Sequence, residues 1–318
     1  MKNKKTDIYK RIVGLVGAIV LIASGIKCSE YILRPTDTDL CINAIETFHN
    51  MPIDSLDVIG YGSSHMWRGL DPSVLYDEYG INVYNYGCNW QQINTTLLFL
   101  KDSLKTQKPK VALFEAYLAW AVKKDVDVDG EIYYTSAIES SADKRKYLAQ
   151  CFNGEKERYL AYYMPLCAFH SNWANIDEAS FMSRDEEDFG FDKSRGYIGI
   201  PDISPIEIPD YTLFSQEELS DDAIEVLDEI VETCKENNIE VIFYLTPYGE
   251  EYLYSDAMKQ YANDKGVVYL DLFEKIDEIG LDGNTDFYDL GHLNTEGAKK
   301  VSRYLGQYLI DNYDVRCN

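Results

Sequence analysis

The chain has 318 residues, 46% hydrophobic and 26% charged, which is the make-up of a globular protein with one large or two small domains and ample core. It carries 30 basic and 54 acidic side chains, a formal charge of -24. A surface of that sign repels phosphate backbones, which argues against nucleic-acid binding.

The N-terminus runs against this trend. Six positives (Lys2, Lys4, Lys5, Lys10, Arg11 and Lys27) meet one negative, Asp7, in the first 27 residues. Between them Ile12 to Ile26 has no charge. As a helix that run spans about 22 Å, short of the roughly 30 Å of a bilayer core, so Arg11 and Lys27 have to snorkel or the bilayer has to thin. The basic head predicts a cytoplasmic start and an exported remainder. The expected layout is a head and signal anchor over residues 1–33, then an extracytoplasmic domain over 34–318, in a single-pass protein of the cell membrane. A cleaved signal peptide is the second reading, because Ala23-Ser24-Gly25 offers small residues. A lipid anchor on Cys28 is the third, set back by Lys27 where such signals carry a small residue.

In the exported part, Asp57-Val58-Ile59-Gly60-Tyr61 reads as a first buried strand, with Gly62 turning the chain off its end. Asp71-Pro72-Ser73 starts a short helix that ends near Gly80. Residues 81–86 alternate as a second strand closed by Gly87. Trp90 to Lys105 is helical, and residues 111–116 form strand three. Residues 118–214 break the rhythm. They hold aromatic helices over 144–152 and 158–173 and a Gly/Pro/Asp-rich span over 189–210, and they read as an insertion over the sheet edge. The alternation resumes with an amphipathic helix over 215–237, strand four over 239–246, a helix over 250–264, strand five over 267–270 and a last helix over 295–311. Five strands alternating with helices predict an α/β fold: a three-layer α/β/α domain around a five-stranded parallel sheet.

Seven cysteines, at 28, 41, 88, 151, 167, 234 and 317, form no CxxC pair and no zinc pattern. They could pair in an oxidising compartment, and buried free thiols account for them equally well. Asp125-x-Asp127-x-Asp129-Gly130 matches the first half of a calcium loop, but Ser136 stands where the bidentate Glu belongs. Neither a metal nor a cofactor is expected.

The chemistry gathers in two distant places. Ser63 and Ser64 follow the first strand, and Asp289-Leu-Gly-His292-Leu-Asn294 precedes the last helix. Serine becomes a nucleophile when a base takes its proton, and a carboxylate three residues from a histidine can fix that base's tautomer. Both segments lie at the carboxyl edge of a doubly wound sheet, where such folds keep their ligands. The Ser64 and Gly87 N–H groups are candidate oxyanion donors. Taken alone, the serines cap a helix and Asp289 with His292 caps the last one. His65 reads first as capping or packing, and Arg68 as the partner of a local acid, with binding of an anionic substrate group as its alternative; His65 and Tyr117 are further substrate-binding candidates. His170 reads as core or surface.

Gly62-Ser63-Ser64, Gly87 and Asp289-x-x-His292-Leu-Asn294 resemble three sequence blocks of the SGNH (GDSL-like) hydrolase and acyltransferase superfamily. The Gly-Ser-Ser form, the N-terminal anchor and the interrupted sheet are most similar to its extracellular branch, which includes the teichoic-acid D-alanyl transfer protein and polysaccharide O-acetyltransferases. The resemblance covers residues 57–117 and 239–312. It implies a flavodoxin-like fold with Ser64 as nucleophile, His292 as base, Asp289 as its orienter and Gly87 as an oxyanion donor. It departs after strand three, where family hydrolases carry Gly-x-Asn-Asp, whose Asn completes the oxyanion hole, and this chain has Glu115-Ala116-Tyr117; the hole is then incomplete, or Asn89 or another donor replaces that Asn. The expectation is an exported, membrane-anchored serine acyltransferase or esterase acting on acetyl or D-alanyl type esters of a cell-surface polysaccharide or polymer. Its alternative is a non-catalytic module, with Tyr117 in place of the chemistry, that binds glycan or partners a membrane-bound acyltransferase.

Overall fold

The computed structural model describes residues 2–33, 40–181 and 195–315. The sheet has five strands: β1 (Val58–Tyr61), β2 (Val83–Asn85), β3 (Val111–Glu115), β4 (Glu240–Leu245) and β5 (Val268–Asp271). Their order is β2-β1-β3-β4-β5 and every pairing is parallel. This is the doubly wound order of flavodoxin-like folds, whose switch point falls between β1 and β3. The expected α/β/α class and strand count hold.

Alternate residues of each strand feed two cores. Val58, Val83, Val111, Leu113, Ile242 and Tyr244 face one side, against α4 (Pro72–Tyr79) and the last helix. Ile59, Tyr84, Ala112, Phe114, Val241 and Phe243 face the other, against α5 (Ile93–Ser103) and a long amphipathic helix. Strands covered on both faces have no polar side to show, which is why they read as apolar runs.

The N-terminal helix α1 (Lys2–Leu33) continues past Lys27, which pairs with Glu30 at 2.6 Å. Its stretch Ile8–Leu33 is long and apolar enough to cross a bilayer. The fifteen-residue run therefore understates the helix: 26 residues span about 39 Å. The stretch leading to β1 contains α2 (Leu40–His49), which the sequence did not suggest. His49 Nε2 meets the buried Asp102 carboxylate at 2.7 Å and ties α2 to α5.

Several boundaries shift for local reasons. Trp90 has φ +50, so α5 starts at Ile93. After α3 (Ser64–Gly69), α4, α5, α6 (Val128–Thr135) and α7 (Ala142–Cys151), the expected helix over 158–173 is broken. It becomes α8 (Lys156–Tyr163) and α9 (Leu166–Phe169), because Pro165 cannot continue a helix. The next helix, α10 (Asp221–Glu236), begins later than 215, where the Ser220 side chain accepts from the Ala223 N–H. Helices α11 (Ser255–Lys265), α12 (Ile276–Ile279) and α13 (Thr295–Asn312) complete the chain. Among the described residues no disulfide joins the six cysteines, and Cys41, Cys88, Cys151 and Cys234 are buried; Cys317 lies outside the described residues. Asp125 is held by Arg158 at 2.8 Å.

Part of the expected insertion belongs to the sheet edge. The Asn85 N–H donates to Arg195 O, Ile198 N–H to Trp67 O, Thr295 N–H to Ile200 O, and Ser204 N–H to Phe287 O, at 2.8–3.1 Å. Residues 195–206 thus strap the end of β2 and α3 to the loop before α13. The Gly/Pro/Asp-rich composition marked this span as irregular but gave no partner for its backbone. Of the span over 189–210, residues 189–194 lie outside the described residues.

Candidate active site

Gly62 ends β1 with φ +154, in a region that favours glycine, and a Cβ there would stand 2.8 Å from the Glu115 Cβ. The chain then enters α3. Ser63 is its N-cap, with its side chain accepting from the His65 N–H, and Ser64 is its first residue. The 289–292 loop is built around one carboxylate. Asp289 Oδ1 accepts from the backbone N–H of Gly291 and of His292, both at 2.8 Å. That fold-back sets the His292 ring with Nδ1 3.0 and 3.1 Å from the two Asp289 oxygens.

The two places meet. His292 Nε2 lies 2.7 Å from Ser64 Oγ, across 228 residues of sequence. With the Nδ1 proton directed at Asp289, Nε2 is left to accept the Ser64 hydroxyl proton. Burial holds the His292 imidazole below its ordinary value, and the Asp289 carboxylate opposes this. Burial alone would raise Asp289, but His292, the Gly291 N–H and Tyr288 together bring it below the usual carboxylate range. A neutral imidazole beside an ionised carboxylate is the state that general-base chemistry needs.

Gly87 abuts the turn that carries Ser64. A Cβ on it would fall 2.4 Å from the Gly62 carbonyl oxygen. Among the described residues no hydrogen bond engages the N–H of Gly87 or of Ser64. Asn89 is half-buried in the same loop after β2. Gly87→Ala is expected to destabilise the protein by about 1–3 kcal/mol through overpacking. A thermal melt checks this, and ester turnover should fall with it because the displaced backbone is Gly62.

His65 is buried and stacks on Tyr117, ring centroids 3.9 Å apart, with Tyr248 edge-on at 5.2 Å. Its ring centroid is 5.0 Å from that of His292, and its Nδ1 has no hydrogen-bond partner. Burial and then the neighbouring His292 keep it well below its ordinary value, against a smaller pull from Asp289. His65 and Tyr117 therefore form an apolar-type wall behind the base, as the packing reading expects for His65. The structure corrects the expectation for Arg68: among the described residues no carboxylate lies within 4.0 Å of its guanidinium. His170 is exposed, with Nδ1 2.9 Å from the Cys167 carbonyl, away from this cluster.

Two residues take part in the site without a role that the sequence suggested. Tyr288 stacks on His292 and brings its hydroxyl 3.2 Å from Nδ1; its position beside Asp289 was the only hint. Glu115, at the end of β3, is buried beneath the Ser63-Ser64 turn. One carboxyl oxygen accepts from the Tyr117 N–H at 3.2 Å and the other has no partner. Burial pushes its carboxyl up to about 8, against the pull of the Tyr117 and Thr246 N–H groups and the Ser63 hydroxyl. A buried acid thus stands where the resemblance places a glycine and an asparagine.

No family model matches the chain, and no curated protein matches it. Among solved structures it is similar to a protein described as a lipolytic member of the G-D-S-L family from Desulfitobacterium hafniense, at 13% identity over 79% of this chain and 97% of that one, with a TM-score of 0.36. It is also similar to a protein described as an acylhydrolase from Bacteroides fragilis, at 10% identity over 84% of this chain and 93% of that one, with a TM-score of 0.40.

Proposed function

We propose that the chain is a serine esterase or acyltransferase with the SGNH arrangement, anchored by α1 and exported. Its substrates are acetyl or D-alanyl type esters of a cell-surface glycan or polymer, and a membrane-bound acyltransferase is a fitting donor partner. The reading is carried by one observation: the Ser64 hydroxyl sits 2.7 Å from His292 Nε2, while Asp289 holds the other ring nitrogen. In the first step Ser64 Oγ attacks the acyl carbonyl as His292 takes its proton. The N–H groups of Ser64 and Gly87 receive the developing oxyanion, with Asn89 as a further donor. The protonated His292 then returns its proton to the leaving alcohol, giving acyl-Ser64. Water or a sugar hydroxyl attacks that ester with His292 again as base, which regenerates the hydroxyl.

A fluorophosphonate probe tests the reading. The wild-type protein should be labelled once, with the adduct mapped by mass spectrometry to Ser64, and Ser64→Ala should not react. An unlabelled wild type, or an adduct on another serine, would leave the alternative of a non-catalytic glycan-binding module.

A further inference from the structure

Arg68 lies four residues after Ser64 on the same short helix. Its Cα is one helical turn, about 6 Å along the axis, from that of the nucleophile, and the two residues share one face of the helix. It lies over two rings, 4.5 Å from the Trp67 centroid and 4.7 Å from that of Tyr288. Its Nε and Nη1 atoms are shut off from solvent and have no hydrogen-bond partner. The Asp289 carboxylate is near enough to act on it electrostatically, but that group is committed to His292 and to two backbone N–H groups. The side chain as a whole is only half-buried, so part of it still meets solvent.

Shutting two guanidinium donors off from water without a counter-ion is unfavourable, and proteins ordinarily pair such groups. Acidic side chains outnumber basic ones here by 54 to 30, yet no described carboxylate takes this place. With Trp67 and Tyr288 against the guanidinium and Nε and Nη1 shut off from solvent, the Nη2 end is left as the recognising surface, and it suits a carboxylate or phosphate oxygen.

We infer that Arg68, seated over the Tyr288 ring whose hydroxyl lies 3.2 Å from His292 Nδ1, is a specificity residue that selects esters carrying an anionic group, carboxylate or phosphate, near the scissile carbonyl. This rests on the proposed function and adds the substrate's charge to it. The surface charge of -24 cannot attract such a substrate from a distance. Discrimination must therefore come from short-range contact, and it should show as selectivity rather than as a fast encounter.

The test uses matched pairs. 4-Acetoxybenzoate and its methyl ester differ only in the anion, and 4-acetoxyphenyl phosphate supplies the phosphate arm. Wild type should favour an anionic ester over the neutral one by at least about tenfold in kcat/KM. In Arg68→Met that ratio should collapse toward one, whatever the absolute rates, and Arg68→Lys should recover part of it. Whichever anion gives the larger ratio names the source. A wild-type ratio near one, or a ratio preserved in Arg68→Met while both rates fall together, overturns the inference and leaves Arg68 as a support for Tyr288 and Asp289. Binding of 4-acetamidobenzoate against its methyl ester, followed by ligand-observed NMR, gives the same comparison without turnover. If wild type hydrolyses nothing but binds the anion through Arg68, the catalytic reading fails and this one stands. If it hydrolyses the neutral ester without preferring the anion, the reverse holds.

Discussion

Replacing His292 by Ala is expected to lower ester turnover by about a thousandfold or more, and Ser64→Ala should do the same. The two groups act as one unit: the hydroxyl is inert without the base, and the base has no task without the hydroxyl. The double variant should therefore be no slower than either single one, because the remaining oxyanion donors act alone in all three. Asp289→Asn keeps the shape of the loop but presents a mixed donor and acceptor to His292 Nδ1. That permits the wrong tautomer and should cost about a hundred- to ten-thousandfold in kcat. It should also move the acid limb of the kcat/KM profile. Burial already keeps His292 below 6.5, and the Asp289 carboxylate is the group that pulls it back up. Without that charge the limb shifts to lower pH. Multiplicative losses in the double variant, or single variants within about tenfold of wild type, would disconnect the hydrogen-bonded chain from catalysis.

The meeting of Ser64 and His292 was legible because it follows from topology. Two segments at carboxyl ends of parallel strands share one edge whatever lies between them. The strands were legible because burial on both faces leaves only apolar residues, and the helix stops at Gly80 and Gly266 because both adopt the left-handed region. What stayed hidden depends on contacts between residues far apart in sequence. The strap over 195–206 is held by backbone hydrogen bonds to Trp67, Phe287 and Thr295, and backbone pairing of an irregular segment leaves no side-chain pattern. For Arg68 the sequence puts a local acid ahead of an anionic substrate group, because arginines commonly have such a partner. Only coordinates show that the nearest carboxylate is already taken. Tyr117 and His65 looked like separate features, and their stacking arises from the end of β3 lying beside the start of α3.

Glu115→Gln should leave stability nearly unchanged at pH 4 and raise it progressively up to pH 9. The folded protein holds the Glu115 proton up to about 8, whereas an unfolded chain releases it near the ordinary 4.5. Between those values the native state binds the proton and the unfolded state does not, so stability falls as pH rises through the window. Glutamine has nearly the same shape and nothing to titrate. The difference between variant and wild type should therefore grow to about 5 kcal/mol, or roughly 10–20 °C in melting temperature. Other titrating groups cancel in that difference, so parallel melting curves across the window would mean that Glu115 is ionised in the native state. The same proton bears on activity. Glu115 supports the Gly62-Ser63 turn, and a charge forming there has only the Tyr117 and Thr246 N–H groups and the Ser63 hydroxyl to hold it. Its ionisation should disturb the turn that aims Ser64 and give wild type a basic limb near pH 8, above the acid limb set by His292. Glu115→Gln should lose the basic limb and keep the acid one. Loss of both, or of neither, would separate the buried acid from the nucleophile it lies beneath.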